Sequence, residues 1–213
     1  MKAPSGPPAR ASFAEEKKFL WLPLLLNAYW ITDKGVHFRL KKEKKRGRRL
    51  ACKKGCSSCC RAHTDIPVYP IELAGIYWYM AEKIDAQARR QILENLTARE
   101  EKGAGGPPCP FLVDGSCAIH VIRPMACRHF NVLDTPCAPG EDPFFARRED
   151  VAPPSGEYTH NAFAATLPFY GIGPDADELL AVGRLRNTQA VNLIEYDWTR
   201  LVEILKQNES TSK

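Results

Sequence analysis

The stretch Cys52-Lys-Lys-Gly-Cys56-Ser-Ser-Cys59-Cys60 places four thiols within nine residues. A Cys-x2-Cys pair lets a tight turn direct two sulfurs at one ion, and Gly55 tolerates the backbone conformations that such a turn needs. Single buried cysteines are common in protein cores, but packing does not explain four in so short a stretch. The spacing therefore predicts a metal site.

Four further cysteines lie downstream, and they bring the total to eight in 213 residues. Eight thiols suffice for two tetrahedral ions. We expect a cytoplasmic location, because the apolar stretch over 19–31 is too short to span a membrane and no small-residue cleavage site follows it. Thiols stay reduced in the cytoplasm, which disfavours four disulfides. Sulfur-only ligation suits zinc and iron–sulfur clusters alike.

The composition is that of a folded protein with one strongly basic segment. Hydrophobic residues make up 44% of the chain and charged residues 26%, which are globular values. Residues 39–54 contain ten basic residues and one acid, so the rest of the chain carries −4 of the net charge of +5. Residues 39–49 of this segment are predicted to be a solvated connector. The segment lacks interleaved aromatic residues and a base-reading helix, which disfavours a nucleic-acid surface.

Hydrophobic periodicity predicts a mainly α fold, a small irregular helical domain stapled by a cysteine metal cluster. The first helix is expected over 12–33, kinked at Pro23 and stopped by Gly35. An apolar helix over 71–83 should be central, and Asp85 should cap a further helix that ends at about residue 102. The hairpin of these two helices should bring the two cysteine regions together. Near the C-terminus we expect a helix capped by Asp175 with Glu178, and a last helix that carries Val191, Ile194, Trp198, Leu201 and Leu205.

The chain divides into three predicted parts. Residues 1–50 form the N-terminal helix and the basic connector, and residues 51–137 form the cysteine-cluster metal-binding domain. Residues 138–213 form a C-terminal loop and helices that pack on the same domain.

The spacing Cys52-x3-Cys56-x2-Cys59 also occurs in radical S-adenosylmethionine enzymes, where it holds a [4Fe–4S] cluster. Those enzymes usually have an aromatic residue before the third cysteine, where this chain has Ser58. They also need a strand before the motif, and here a polar basic run precedes it. The structural context of the motif therefore disfavours this class of enzyme.

The two cysteine regions together resemble the YkgJ-type cysteine-cluster family, the bacterial and archaeal zinc- or iron-chelating domain named for its CxxCxxCC signature. The second region reads Cys109-Pro-Phe-Leu-Val-Asp-Gly-Ser-Cys117-Ala-Ile-His-Val-Ile-Arg123-Pro124-Met-Ala-Cys127-Arg128-His-Phe130. The resemblance covers about residues 52–130. It implies a domain that holds zinc or iron, in an iron–sulfur form in some members. The ligand candidates that it implies are Cys52, Cys56, Cys59, Cys60, Cys109, Cys117 and Cys127, with Cys137, beyond the matched stretch, as the eighth.

Other residues near the cysteines have weaker claims to a role. His120 stands where the family usually has tyrosine, and we interpret it as a neutral group that stacks near the site rather than as a ligand. For His63 and His129 a hydrogen-bonded or exposed side chain is the more frequent outcome than ligation. The basic residues that flank the cysteines are expected to offset the charge of bound thiolates; they are Lys53, Lys54, Arg61, Arg123 and Arg128.

The favoured function is a zinc- or iron-binding cysteine-cluster protein without an assigned reaction. One alternative is an iron–sulfur enzyme acting in redox or methyl transfer, since a related cysteine cluster occurs in flagellin lysine methylases. The other alternative is a basic nucleic-acid-binding zinc protein. The sequence leaves open whether the protein is an enzyme. The expected partner is a metal ion or cluster, and neither a membrane span nor a particular protein partner is indicated.

Overall fold

The computed structural model describes residues 7–102 and 108–211. Helices make up most of this part of the chain, so the predicted mainly α class is confirmed. The α-helices are α1 Trp21–Lys45, α2 Ser58–Ala62, α3 Pro70–Glu82, α4 Ala86–Lys102, α5 Met125–His129, α6 Pro143–Ala146, α7 Gly156–Ala164, α8 Glu178–Thr188 and α9 Thr199–Thr211. The strands are β1 Pro67–Val68, β2 Leu112–Val113, β3 Ser116–Cys117 and β4 Val191–Asn192, which pair antiparallel as β1 with β4 and β2 with β3. None of the helices in the described ranges combines the length and the apolar character that a membrane span requires.

Helix α1 begins later and ends much later than the sequence predicts. Pro23 falls in its first turn, where the missing N–H leaves no helical hydrogen bond unmade. The predicted stop at Gly35 is wrong, because the helix continues to Lys45. Residues 39–45 are therefore helical rather than a connector, although Lys41, Lys42, Lys44 and Lys45 are exposed to solvent as predicted. They form the last turns of α1, where cations interact favourably with the helix dipole.

Gly35 marks a close approach between α1 and α7. A Cβ atom at this position would lie 2.6 Å from Cβ of Tyr158 and 2.8 Å from Cβ of Pro154. Helix α1 packs along α7 and also contacts α3 and α5. The glycine thus serves packing rather than helix termination, a difference that its position in the sequence does not reveal.

Helix α3 lies in the core, as predicted from its apolar surface. Ile71, Ile76 and Met80 are fully buried, and the helix packs against α1 and α9. The next helix, α4, starts at the predicted place: Asp85 accepts a hydrogen bond from the Ala88 N–H at 2.9 Å, which confirms the predicted cap. The two cysteine regions meet after α3 and α4, where the Cys109 N–H donates to the Cys60 carbonyl.

The cap of α8 lies two residues later than predicted. The Asp177 carboxylate accepts the Leu180 N–H at 3.0 Å, so the predicted role of Asp175 is wrong. Both aspartates are reasonable caps in the sequence. The sequence alone does not distinguish between them.

The predicted last helix is shorter than its hydrophobic stripe. Ile194 and Trp198 are buried, but they precede α9, and Leu201 and Leu205 lie on it. Val191 belongs to β4, which pairs with β1. Pairing with a distant strand therefore overrides the local helical pattern, an outcome that sequence periodicity does not anticipate.

Replacing Gly35 by alanine should lower the free energy of unfolding by about 1–3 kcal/mol, because the added Cβ forces α1 and α7 apart. Gly183→Ala in α8 is the matched control, since no atom outside its own stretch of helix lies within 4 Å of its added Cβ. Alanine there should raise the free energy of unfolding by about 0.5–1 kcal/mol through helix propensity. Urea unfolding followed by circular dichroism measures both changes, and effects of equal sign and size would contradict the packing role.

Candidate metal centre

The first cysteine segment folds as a tight turn followed by α2. Gly55 has a φ of +81°, a left-handed conformation that glycine adopts without strain. The Cys56 N–H donates to the Lys53 carbonyl at 2.9 Å within this turn. The turn leaves Cys56 exposed, and α2 then carries Cys59 and Cys60. The predicted role of Gly55 is confirmed.

Cys52 is fastened to the chain that follows α5. The Ala51 N–H donates to the Val132 carbonyl at 2.8 Å, and the Val132 N–H donates to Cys52 Sγ at 3.3 Å. A bridge between Leu50 and Leu133 extends this pairing. An N–H group directed at sulfur is the kind of contact that orients and tunes a metal-bound thiolate.

The second cysteine segment meets the first at Cys109. The Cys109 N–H donates to the Cys60 carbonyl at 2.7 Å. The chain then forms the hairpin of β2 and β3, which presents Cys117. Its turn residues, Asp114 and Gly115, both have a positive φ, at +47° and +73°. The predicted meeting of the two cysteine regions is confirmed.

The deeper thiols act electrostatically on one another. Burial raises the pKa of Cys127, and the thiols of Cys109, Cys59 and Cys117 raise it further. Burial also raises the pKa of Cys109 to about 12, and Cys117 and Cys59 add to this effect. We call Cys59, Cys109, Cys117 and Cys127 the inner thiols.

A second group of thiols lies nearer the surface. The pKa of Cys137 is raised by burial and by the thiols of Cys52 and Cys56. Cys56 is exposed, and a hydrogen bond from the Ser58 N–H lowers its pKa. We call Cys52, Cys56 and Cys137 the outer thiols. The inner thiol Cys59 lies between the two groups electrostatically, because it raises the pKa of Cys52 as well as that of Cys127.

The donor set fits a thiophilic metal. All eight cysteines are free thiols, and reduced sulfur is the ligand that zinc and iron–sulfur clusters share. Within residues 7–102 and 108–211, no three or more cysteine, histidine, aspartate or glutamate side chains are arranged as ligands of one ion. The thiols are therefore neighbours without a closed coordination shell, and ligation by all eight stays a prediction.

Three arginines lie close enough to the inner thiols for their positive charges to lower the pKa of a thiol. Burial raises the Cys117 pKa, and the charges of Arg123 and Arg128 oppose this rise. Arg99 acts on Cys109 in the same direction. The first two arginines were expected from their place in the sequence. Arg99 was not, because it lies on α4 and only the tertiary fold brings it near a thiol.

Arg128 fastens α5 to the rest of the protein. Its guanidinium pairs with Asp33 of α1 at 2.6 Å and donates to the carbonyls of Val121 at 2.6 Å and Arg123 at 2.9 Å. It also lies over the ring of Tyr29, 4.1 Å from the centroid. Since Arg128 is only 5% exposed, these contacts compensate the burial of its charge.

Glu72 of α3 is a second buried charged residue beside α5. It is fully buried, and burial raises its pKa to about 7. Its carboxylate accepts hydrogen bonds from the N–H groups of Tyr69 and Met125. In the sequence, a glutamate in the first turn of an apolar helix indicates a capping residue at most. Nothing in the sequence indicates its partner on α5.

The three histidines near the cysteines in sequence have neighbours other than thiols. His63 is buried, and its Nε2 lies 3.4 Å from Asp142 Oδ1. The His120 carbonyl accepts a hydrogen bond from Arg123 at 2.8 Å. Burial lowers the pKa of His129 to about 4, so this imidazole is neutral at physiological pH. Their assignment as residues other than ligands stays a prediction.

Arg48 of the basic segment helps to hold the loop between α5 and α6, which carries the outer thiol Cys137. Arg48 pairs with Asp134 at 2.7 Å and with Asp150, and Arg147 pairs with the same Asp150 at 3.0 Å. Single surface ion pairs contribute little, but several that share partners restrict a loop more effectively. Lys53 and Lys54 are exposed, and the expectation that they offset the charge of bound thiolates stays a prediction.

Comparison with known protein families gives an independent result for this region. Residues 51–151 match the family model CxxCxxCC, described as "Putative zinc- or iron-chelating domain". This part of the chain is therefore similar to the members of that family. The predicted resemblance is confirmed, and the match includes Cys137 and thus all eight cysteines. No curated protein and no solved structure matches the chain.

The thiols of the reduced, metal-free protein should react with iodoacetamide in order of exposure. Cys56 should be alkylated first at neutral pH, because it is exposed and its pKa is lowered. Cys109 should be among the last, because it is buried and its pKa is raised to about 12. Peptide mass mapping over a time course of the full chain measures the order, and Cys56→Ser should remove the fastest step. Labelling of Cys109 before Cys56 would contradict this order.

Proposed function

We propose that the protein chelates zinc or iron through its eight cysteines and acts as a metal-binding module. The observation that carries this proposal is the hydrogen bond between Cys109 and Cys60, which joins two cysteine segments that are far apart in the chain. All the cysteines are free thiols. The CxxCxxCC match supports the same chemistry independently.

The inner thiols supply four sulfurs, the number that a tetrahedral zinc ion or a [4Fe–4S] cluster requires. We assign Cys60 to the outer thiols as their fourth member. The inner thiols already number four, so Cys60 would complete the second set of four sulfurs. The hydrogen bond between the Cys59 and Cys60 thiols would then place the two sites side by side.

The surrounding charges support binding of anionic metal–thiolate groups. Four thiolates around a divalent zinc ion leave two net negative charges, which a buried site must offset. The inner thiols have Arg99, Arg123 and Arg128 as electrostatic neighbours, and Cys137 of the outer thiols has Arg147. Each proposed site therefore has at least one cation that favours its charged form.

Burial sets the pH dependence of binding. It raises the pKa of Cys109, Cys117 and Cys127, and a hydrogen bond with the Cys60 thiol together with burial raises the pKa of Cys59. These thiols are therefore protonated at neutral pH in the metal-free protein. A metal must displace those protons, and its affinity should therefore rise with pH. Bound zinc would supply a structural cross-link, whereas a bound iron–sulfur cluster would supply one-electron transfer.

Protein purified under anaerobic, reducing conditions should contain about two zinc ions per chain, or the iron of two thiolate-bound sites. Cys127→Ser should remove the inner metal and Cys56→Ser the outer metal, while Ser116→Ala, beside Cys117 on β3, should keep both. Elemental analysis measures the metal content. Visible charge-transfer absorption distinguishes an iron–sulfur protein, which is coloured, from a zinc protein, which is colourless.

A folded protein that contains no metal and takes up neither zinc nor iron would overturn the proposal. Equal metal content in Cys127→Ser and in the unmutated protein would overturn the assignment of Cys127 as a ligand. The iron–sulfur enzyme and the nucleic-acid-binding zinc protein stay alternatives from the sequence.

A further inference from the structure

Glu72 is a buried carboxylate on an otherwise apolar stretch of α3. It lies in the first turn of α3 and has no exposed surface, and its neighbours on the same helix, Ile71 and Leu73, belong to the core. A buried carboxylate is costly unless hydrogen bonds compensate for the water that it loses. The position of Glu72 therefore requires an explanation from its contacts.

The two carboxylate oxygens of Glu72 accept hydrogen bonds from the starts of two different helices. Oε2 accepts the N–H of Tyr69, the N-cap residue of α3, at 3.1 Å. Oε1 accepts the N–H of Met125, the first residue of α5, at 2.7 Å. The first bond is local. The second spans 53 residues and ties α5 to α3.

Helix α5 needs such a tie because it has only five residues. Isolated helices of this length are not stable in water, so its orientation must come from tertiary contacts. Its residues include the inner thiol Cys127 and Arg128, whose guanidinium pairs with Asp33 of α1. Glu72 fixes the N-terminal end of α5, and Arg128 fixes its C-terminal half.

The electrostatic effect of Glu72 on the inner thiol Cys127 is unfavourable for metal binding. Its negative charge lies close enough to Cys127 to raise the pKa of that thiol, and so it opposes thiolate formation. A favourable contribution of Glu72 to metal binding must therefore come from the hydrogen bond that holds the backbone of α5.

We propose that Glu72 is a positioning residue of the metal centre: its hydrogen bond to Met125 orients α5 so that the Cys127 sulfur faces the other inner thiols. This role rests on the proposed function. A glutamine at position 72 keeps the shape of the side chain but has one acceptor oxygen. Its amide NH2 would then face one of the two N–H donors, and one tie would be lost.

Cobalt(II) is the probe, since thiolate-to-cobalt charge-transfer absorption reports how many sulfurs bind each ion. The experiment compares the full-length unmutated protein, Glu72→Gln, Cys127→Ser and the double variant under anaerobic conditions. Glu82→Gln, at the exposed end of the same helix, is the matched control. Glu72→Gln should lower cobalt affinity by about 10–100-fold and weaken the charge-transfer band, as expected for loss of an outer contact that orients a ligand. The double variant should be no worse than Cys127→Ser alone.

Each other outcome is decisive. If Glu72→Gln leaves cobalt affinity unchanged, the positioning role is overturned and the proposed function is not. The same holds if the losses of cobalt affinity from Glu72→Gln and Cys127→Ser add up in the double variant. Absence of cobalt binding in the unmutated protein overturns the proposed function together with this role. If Glu72→Gln loses its helical circular dichroism, Glu72→Asp takes its place, because it keeps the charge but is too short to reach both N–H groups. Loss of the fold in both variants identifies Glu72 as a general determinant of folding and overturns the specific role.

Discussion

The hydrogen bond from the Cys109 N–H to the Cys60 carbonyl is the contact on which the arrangement of the thiols depends. It joins the end of the first cysteine segment to the start of the second, after α3 and α4 have carried the chain through the core. The hairpin of β2 and β3 and the short α5 then add Cys117 and Cys127 to the same region. These segments have little regular structure of their own, so a metal that cross-links them would contribute directly to folding free energy.

The surroundings of the thiols are arranged unevenly. The inner thiols are held among buried groups that connect α5 to α1 and α3, chiefly Arg128 and Glu72. The outer thiols lie on a turn and a loop, and the loop is held by ion pairs that involve Arg48 and Arg147. This difference agrees with the proposal of two sites that differ in burial. It also gives part of the basic segment a structural role, because Arg48 restrains the loop beyond α5.

The metal-binding region was predictable from the sequence because cysteine spacing is a local signal. The spacing around Gly55 indicated a turn, the flanking residues indicated Arg123 and Arg128, and the apolar surface of α3 indicated its burial. Sequence-based prediction failed where one residue type fits two different structural roles. Gly35 could end a helix or admit a neighbouring helix, and the structure shows the second. Arg99 and the partner of Glu72 depend on contacts between distant elements, for which a single sequence carries no periodic or spacing signal.

The central claim is that metal bound by the cysteines holds the two segments together, and thermal unfolding before and after metal removal tests it most directly. The protein is purified anaerobically, and its unfolding midpoint is measured as isolated, after treatment with a chelator, and after zinc or iron is restored. We expect the chelator to lower the midpoint and the restored metal to raise it again, because metal bound only by the folded protein stabilises it. A midpoint that is the same in all three samples, with metal removal verified by elemental analysis, would contradict the claim.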